Sequence, residues 1–212
     1  MRLLAAFSAV VLLQMLSTGV ATADATVSPE QGVSRELVIE VVTSADPAAA
    51  LARLSVEQQA EALALIDANL VATGNAAEAV ALSSTEAAAV GLRVPRIKVG
   101  GTDSAVAASG CWAHFYYSGW SLWTMKTAES WMQLNWCASN GRITSSSFSS
   151  VGGAALIISY DGSTRSKRDV GWEIRGLTTH TFSFSLGSVT KCMQIRGGAT
   201  GLYSRSTSCS LV

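Results

Sequence analysis

Apolar and polar residues alternate at every second position over much of the C-terminal half of the chain, which is the period of a half-buried strand. Within the segment Thr179 to Leu186, Phe182, Phe184 and Leu186 fall on one face and Thr181, Ser183 and Ser185 on the other. Cys111 to Tyr117 sets Ala113 and Phe115 against Trp112, His114 and Tyr116. Trp131 to Cys137 sets Met132, Leu134 and Trp136 against Trp131, Gln133 and Asn135. Further strands are expected over 142–148, 155–160, 170–176, 189–196 and 201–209. Ser118-Gly119, Asn140-Gly141, Asp161-Gly162 and Gly187-Ser188 read as the turns between strands, Asn-Gly being the strongest short hairpin signal. About eight strands in roughly 100 residues is the pattern of an antiparallel β-sandwich or a barrel.

The first half has a different period. Ser55-Val56-Glu57-Gln58 is a capping box, and Val56, Ala60, Leu63, Ile66 and Leu70 follow at offsets that share one helical face. Asp46-Pro47 and Ser28-Pro29-Glu30-Gln31 carry the cap-plus-proline signal of helix starts, and Gly74-Asn75 reads as a helix end. Leu37 to Val42 fits a helix or a strand equally well, because its β-branched residues suit both. The apolar stripes are thin and aromatic residues are absent, so this Ala-rich helical segment cannot bury a core by itself.

These patterns divide the chain into four parts. Met1-Arg2 followed by the apolar run Leu3 to Met15 and by Ala21-Thr22-Ala23 predicts a signal peptide over 1–23, with a mature start at Asp24. The run is too short to span a membrane as a helix, and no apolar stretch of about 18 residues occurs elsewhere, so no transmembrane segment is expected after cleavage. Residues 24–90 form the helical segment, which holds ten acids against two bases, a net of −8. Residues 91–109 contain Pro95, Gly100-Gly101, Arg93, Arg96 and Lys98 without periodicity, the composition of a basic flexible linker open to proteolysis. From Gly91 onward twelve bases oppose five acids, a net of +7. An acidic segment could hold a basic partner by charge complementarity, so 24–90 is expected to act as a pro-region for 110–212 or to remain as an uncleaved extension.

Export places the four cysteines, Cys111, Cys137, Cys192 and Cys209, in an oxidising setting where an even count means disulfides. Sequence leaves three connectivities open. Pairs Cys111–Cys137 and Cys192–Cys209 are favoured because each brackets a hairpin or hairpin pair. Zinc is disfavoured, since no Cys-x₂-Cys spacing occurs and the histidines are only His114 and His180. The expected fold is therefore mainly β: a disulfide-stapled antiparallel β-sandwich, or a barrel-like variant, preceded by an Ala-rich helical segment.

Several short motifs in the C-terminal half carry a resemblance. Cys111-Trp112, Trp136-Cys137, Asn140-Gly141-Arg142-Ile143-Thr144, Gly171-Trp172 and Cys192 resemble those of a family of secreted actinobacterial β-rich proteins with no assigned activity. The resemblance implies a secreted β-rich module and no particular chemistry.

Candidate chemistry is sparse. His114 and His180 are the only neutral-pH bases for a serine hydrolase, and no Gly-x-Ser-x-Gly elbow accompanies them. Glycoside hydrolysis needs two acidic groups, and Glu173, next to Trp172, is the acid to watch among Glu129, Asp161, Asp169 and Glu173. Flat aromatic side chains can stack on sugar rings, and the candidates are Trp112, Tyr116, Trp120, Trp123 and Trp172. Trp120 and Trp123, near the Ser118-Gly119 turn, are the expected exposed pair. The polar stretch Asp161 to Asp169 reads as a loop in which Arg165, Lys167 and Arg168 could meet an anionic polymer. No cofactor or metal is expected, and nucleic acid is disfavoured for an exported chain. The leading expectation is a secreted, extracellular, non-enzymatic module that binds cell-wall polysaccharide or another anionic polymer. The alternative is an antimicrobial or toxin-like effector released from its acidic segment, and a hydrolase comes third.

Overall fold

A computed structural model describes residues 32–73, 79–94 and 109–212. The expected signal peptide, the Ser28–Gln31 helix start, the Gly74-Asn75 helix end and most of the 91–109 linker lie outside the described residues. In chain order the elements are α1 (Arg35–Thr43), α2 (Pro47–Leu51), α3 (Val56–Asn69), β1 (Leu70–Ala72), β2 (Val80–Leu82), α4 (Ser84–Ala89), β3 (Gly110–Leu122), β4 (Met125–Ser139), β5 (Arg142–Ala155), β6 (Ser159–Asp169), β7 (Glu173–Phe184), β8 (Gly187–Gly198) and β9 (Tyr203–Ser206).

Two antiparallel sheets face each other. Sheet A runs β1-β3-β4-β5, with β2 also on β3, and sheet B runs β6-β7-β8-β9. The alternation predicted for β4 is the one observed: Met132, Leu134 and Trp136 are fully buried against Ile174, Phe182, Met193 and Ile195 of sheet B. Close approach of the sheets depends on missing side chains. A Cβ on Gly197 would stand 2.6 Å from the Trp136 ring, whose Nε1 donates to the Gly198 carbonyl at 3.0 Å. Asn140 (φ 53°) and Gly141 (φ 71°) make the two-residue turn between β4 and β5, as Asn-Gly predicts.

Several expectations are corrected. Asp161-Gly162 is no turn but an irregularity within β6, and the β7–β8 reversal falls at Ser185-Leu186, because Gly187 and Ser188 already pair with Phe184 and Ser183. Ser118-Gly119 is not a turn: β3 continues through it, Ser118 pairs with Ser130, and the chain reverses at Trp123-Thr124. Gly119 is buried beneath the 70–73 segment, where its carbonyl accepts from Thr73 N at 2.7 Å. The stretch 155–160 is not one strand, because β5 ends at Ala155 and the chain crosses to sheet B before β6 begins. Asp161 to Asp169 is not a loop but the body of β6, paired with β7 along its length. The face of α3 is also rotated: Gln58, Ala62 and Ile66 are buried, while Val56 is 75% exposed.

The helical segment does not stand apart. Ser55 and Gln58 close the predicted capping box, and Asp46 accepts from Ala49 N at 3.0 Å ahead of Pro47. Helices α1 and α3 then place Val38, Val42, Ala62, Ile66 and Leu70 in the same core as Trp120, Leu122 and Phe182. Strands β1 and β2 lie along the outer edge of β3, and α4 covers the Cys111–Cys137 bridge with Ala87 and Leu92. A segment too thin to form its own core has borrowed one. Charge contributes little to this attachment. Among the described residues Lys191–Asp67, at 2.8 Å, is the one ion pair that joins the acidic segment to the sandwich.

Both disulfides have the favoured pairing, Cys111–Cys137 and Cys192–Cys209. The first links directly opposed residues of β3 and β4, with Cα atoms 4.0 Å apart. The second ties the C-terminal tail to the outer face of sheet B, where Gln194 Nε2 donates to the Ser210 carbonyl at 2.5 Å. No helix among the described residues is long and apolar enough to cross a membrane.

Candidate functional site

Most of the aromatic candidates point into the core. Trp112 and Tyr116 share the inward face of β3 with His114. Trp112 stacks on Trp136 at 6.1 Å between ring centroids, and Tyr116 is 7% exposed. Trp120 is also a core residue, 2% exposed, with Nε1 donating to Ser130 Oγ at 2.7 Å. The continuation of β3 past Gly119 is the physical reason, since it carries Trp120 into the sandwich instead of onto a turn. Trp123 does occupy a turn, at φ 52°, but it is half-buried, with the Arg35 guanidinium 5.2 Å from its ring centre. Trp120 and Trp123 therefore do not form an exposed aromatic pair.

Trp172 is different. It lies 59% exposed on the short connection between β6 and β7. Its backbone is fixed on both sides: Gly171 N donates to Asp169 Oδ1 at 2.7 Å, Ile143 N donates to the Gly171 carbonyl at 2.7 Å, and Ala199 N donates to the Trp172 carbonyl at 2.9 Å. The Gly171 φ of 89° allows the reversal, a conformation that a residue with a Cβ resists. Trp172, Glu173, Arg196, Thr200, Leu202 and Tyr203 line an open cleft of about 390 Å³ at this end of sheet B.

Electrostatics around the cleft are set by one carboxylate. Glu173 Oε1 accepts from Arg175 Nε at 2.6 Å and from Arg196 Nε and Nη2 at 2.9 and 2.8 Å. Burial alone would raise the Glu173 pKa, but hydrogen bonds and charge from Arg196 and Arg175 outweigh it and hold the carboxyl below its ordinary value. An ionised carboxylate held by two guanidiniums is poorly suited to donate a proton, and no second acid lines the cleft, so the two-carboxylate geometry of glycoside hydrolysis is not present there.

The histidines lie inside the sandwich. His180 is fully buried, with Nε2 2.9 Å from Thr178 Oγ1 and Nδ1 3.3 Å from Tyr160 Oη. His114 is also fully buried, its ring centroid 4.0 Å from that of Tyr203, and among the described residues neither ring nitrogen has a hydrogen-bond partner. Burial pushes the His180 pKa down to about 4. Burial, with the Arg205 charge added, does the same to His114. Neither imidazole reaches a surface nucleophile. Among the described residues no group of three or more His, Cys, Asp or Glu is arranged to hold a metal ion.

The predicted basic loop is redistributed by its strand. The register of β6 turns Arg165 and Lys167 toward sheet A, where Lys167 Nζ donates to the Ser146 carbonyl at 2.5 Å. Arg168 points to the outer face of sheet B, opposite Arg175. The structure keeps Trp172, Arg165, Lys167 and Arg168 exposed, and the cleft adds Arg196, Leu202 and Tyr203, which composition alone does not single out. No family model, curated protein or solved structure matches the chain.

Proposed function

We propose that this protein is an exported, non-enzymatic module that binds a polysaccharide or anionic polymer of the cell wall, with the Trp172 cleft as its ligand site. The exposed Trp172 ring carries this reading. A large flat apolar side chain is held at the surface by three hydrogen bonds to Gly171 and Trp172, beside a fixed Glu173–Arg196 pair that can orient a polar ligand. The two disulfides and the signal-like N-terminus support an extracellular setting.

Co-sedimentation with insoluble cell-wall polysaccharide tests the proposal. Wild-type protein should pellet and Trp172→Ala should stay in solution with an unchanged thermal midpoint. Equal pelleting of the two proteins would remove the cleft as the site. The alternative, an effector released from its acidic segment, requires 24–90 to leave a core that it shares with Trp120, Leu122 and Phe182. That exposure of apolar area weighs against simple dissociation after cleavage.

A further inference from the structure

On the outer face of sheet B, the strand register puts three guanidiniums in one row. Arg168 of β6 stands opposite Arg175 of β7, and Arg175 stands opposite Arg196 of β8. Directly opposed like charges on neighbouring strands cost stability, so such a row requires a compensating partner. One carboxylate is present, Glu173, and its Oε1 already takes Arg175 and Arg196. Arg168 has none. Among the described residues, its hydrogen bond is to the Leu211 carbonyl at 3.5 Å, an acceptor that Arg175 Nη1 shares at 3.3 Å. Beyond Glu173, the acceptor that Arg168 and Arg175 share is a neutral carbonyl. Arg142 adds another positive charge near the cleft mouth, where its guanidinium lies against Gly171.

We propose that this arginine row anchors the oxyanions, phosphate or carboxylate, of a charged glycan chain whose sugar ring stacks on Trp172. The inference rests on the reading of the cleft as a glycan site and adds the charge of the ligand. Guanidinium groups offer paired donors that match both oxyanions, and either would replace the shared Leu211 carbonyl with a full negative charge. Arg196 lines the cleft, and Arg168 lies two strand spacings away, about 10 Å. One small anion cannot bridge that distance, whereas a polymer with repeating charges can. Lys167 does not join the row, because it is directed to Ser146 on the other sheet.

The test is titration calorimetry of the purified protein with three probes: poly(glycerol phosphate), polygalacturonate and a neutral β-glucan. Tighter binding of at least one charged polymer than of the neutral glucan, weakening as salt rises, is expected. The preferred polymer tells phosphate from carboxylate. Arg168→Gln should lose about tenfold in affinity for that polymer, the scale of one charge-assisted hydrogen bond, and Arg168→Glu should abolish binding. Arg168 is exposed and each variant removes a like charge from the row, so the thermal midpoint of both should equal or slightly exceed that of wild type. Wild-type affinity in Arg168→Glu, or equal binding of all three polymers, would overturn the anchor. Loss of binding in Trp172→Ala with no change in Arg168→Gln leaves the glycan site standing and removes the anchor. The reverse pattern keeps the anchor and removes the aromatic site. Binding of none of the three polymers would overturn both.

Discussion

Hairpin β3–β4 and the outer face of sheet B both hold conspicuous residues, and they use them for different ends. The hairpin and its turn carry five of the six tryptophans. Trp120 and Trp136 are fully buried, Trp112 stacks on Trp136, and Trp123 and Trp131 are half-buried. The sixth, Trp172, has no aromatic ring contact among the described residues, yet it is the most exposed of the set. Aromatic density therefore marks packing in this molecule, and the isolated ring beside fixed charges marks the candidate site. The arginines follow a related logic. Across β6, β7 and β8 they gather in one row whose hydrogen bonds go to Glu173 and to the Leu211 carbonyl of the C-terminal tail.

The comparison breaks most directly at its two ends. Trp136→Ala should cost about 3–5 kcal/mol in a denaturant titration, the usual result of emptying a well-packed aromatic site, whereas Trp172→Ala should stay within about 0.5 kcal/mol of wild type. Similar losses for both would mean that exposure is a poor guide here. A second difference concerns pH. His114 and His180 titrate at about 4 when folded, against an ordinary value of 6.5, so between these values the unfolded chain binds more protons. Stability is then complete above about pH 6.5 and falls as pH drops toward 4, by about 2 kcal/mol per histidine at pH 5. Unfolding midpoints at pH 7 and pH 5 check this, and a flat response would show that the imidazoles are hydrated. The smallest effect is expected where charge joins the helical segment to the sandwich. Asp67 is 58% exposed in its pair with Lys191, so Asp67→Asn should change stability by only about 0.5 kcal/mol in the same titration.

How far these features could be read in advance depended on what kind of signal each residue gives. Met132, Leu134 and Trp136 announce their face by alternation, and Asn140-Gly141 announces its turn by the backbone angles it favours. Ser118-Gly119 gives a false turn signal because small residues also suit a crowded ladder, in this case under Thr73 and beside Ser130. Read as a turn, that pair would place Trp120 at the surface. The stretch Asp161 to Asp169 lacks apolar residues because an edge strand with solvent access needs few of them, so its polarity imitates a loop. The arginine row was within reach by counting. Once the β7–β8 reversal is placed between Phe184 and Gly187, stepping back along both strands sets Arg175 opposite Arg196. Arg168 joins the row only if β6 is recognised as a strand. The Trp172 cleft was partly visible, since Glu173 next to a tryptophan drew notice, but Leu202 and Tyr203 arrive through the β8–β9 turn, which no local pattern dictates.

The placement of β1 and β2 along β3 has a consequence for handling the protein. Strand β3 is 13 residues long and rich in aromatic and small residues, and β1 and β2 pair with the two ends of its outer edge, at Trp120–Leu122 and Cys111–Ala113. Long, flat, apolar edges of this kind recruit strands from neighbouring molecules. The N-terminal segment thus works as a built-in guard against self-association. A fragment trimmed to residues 110–212 should form oligomers or precipitate where the longer chain stays monodisperse, whatever the fate of its ligand site.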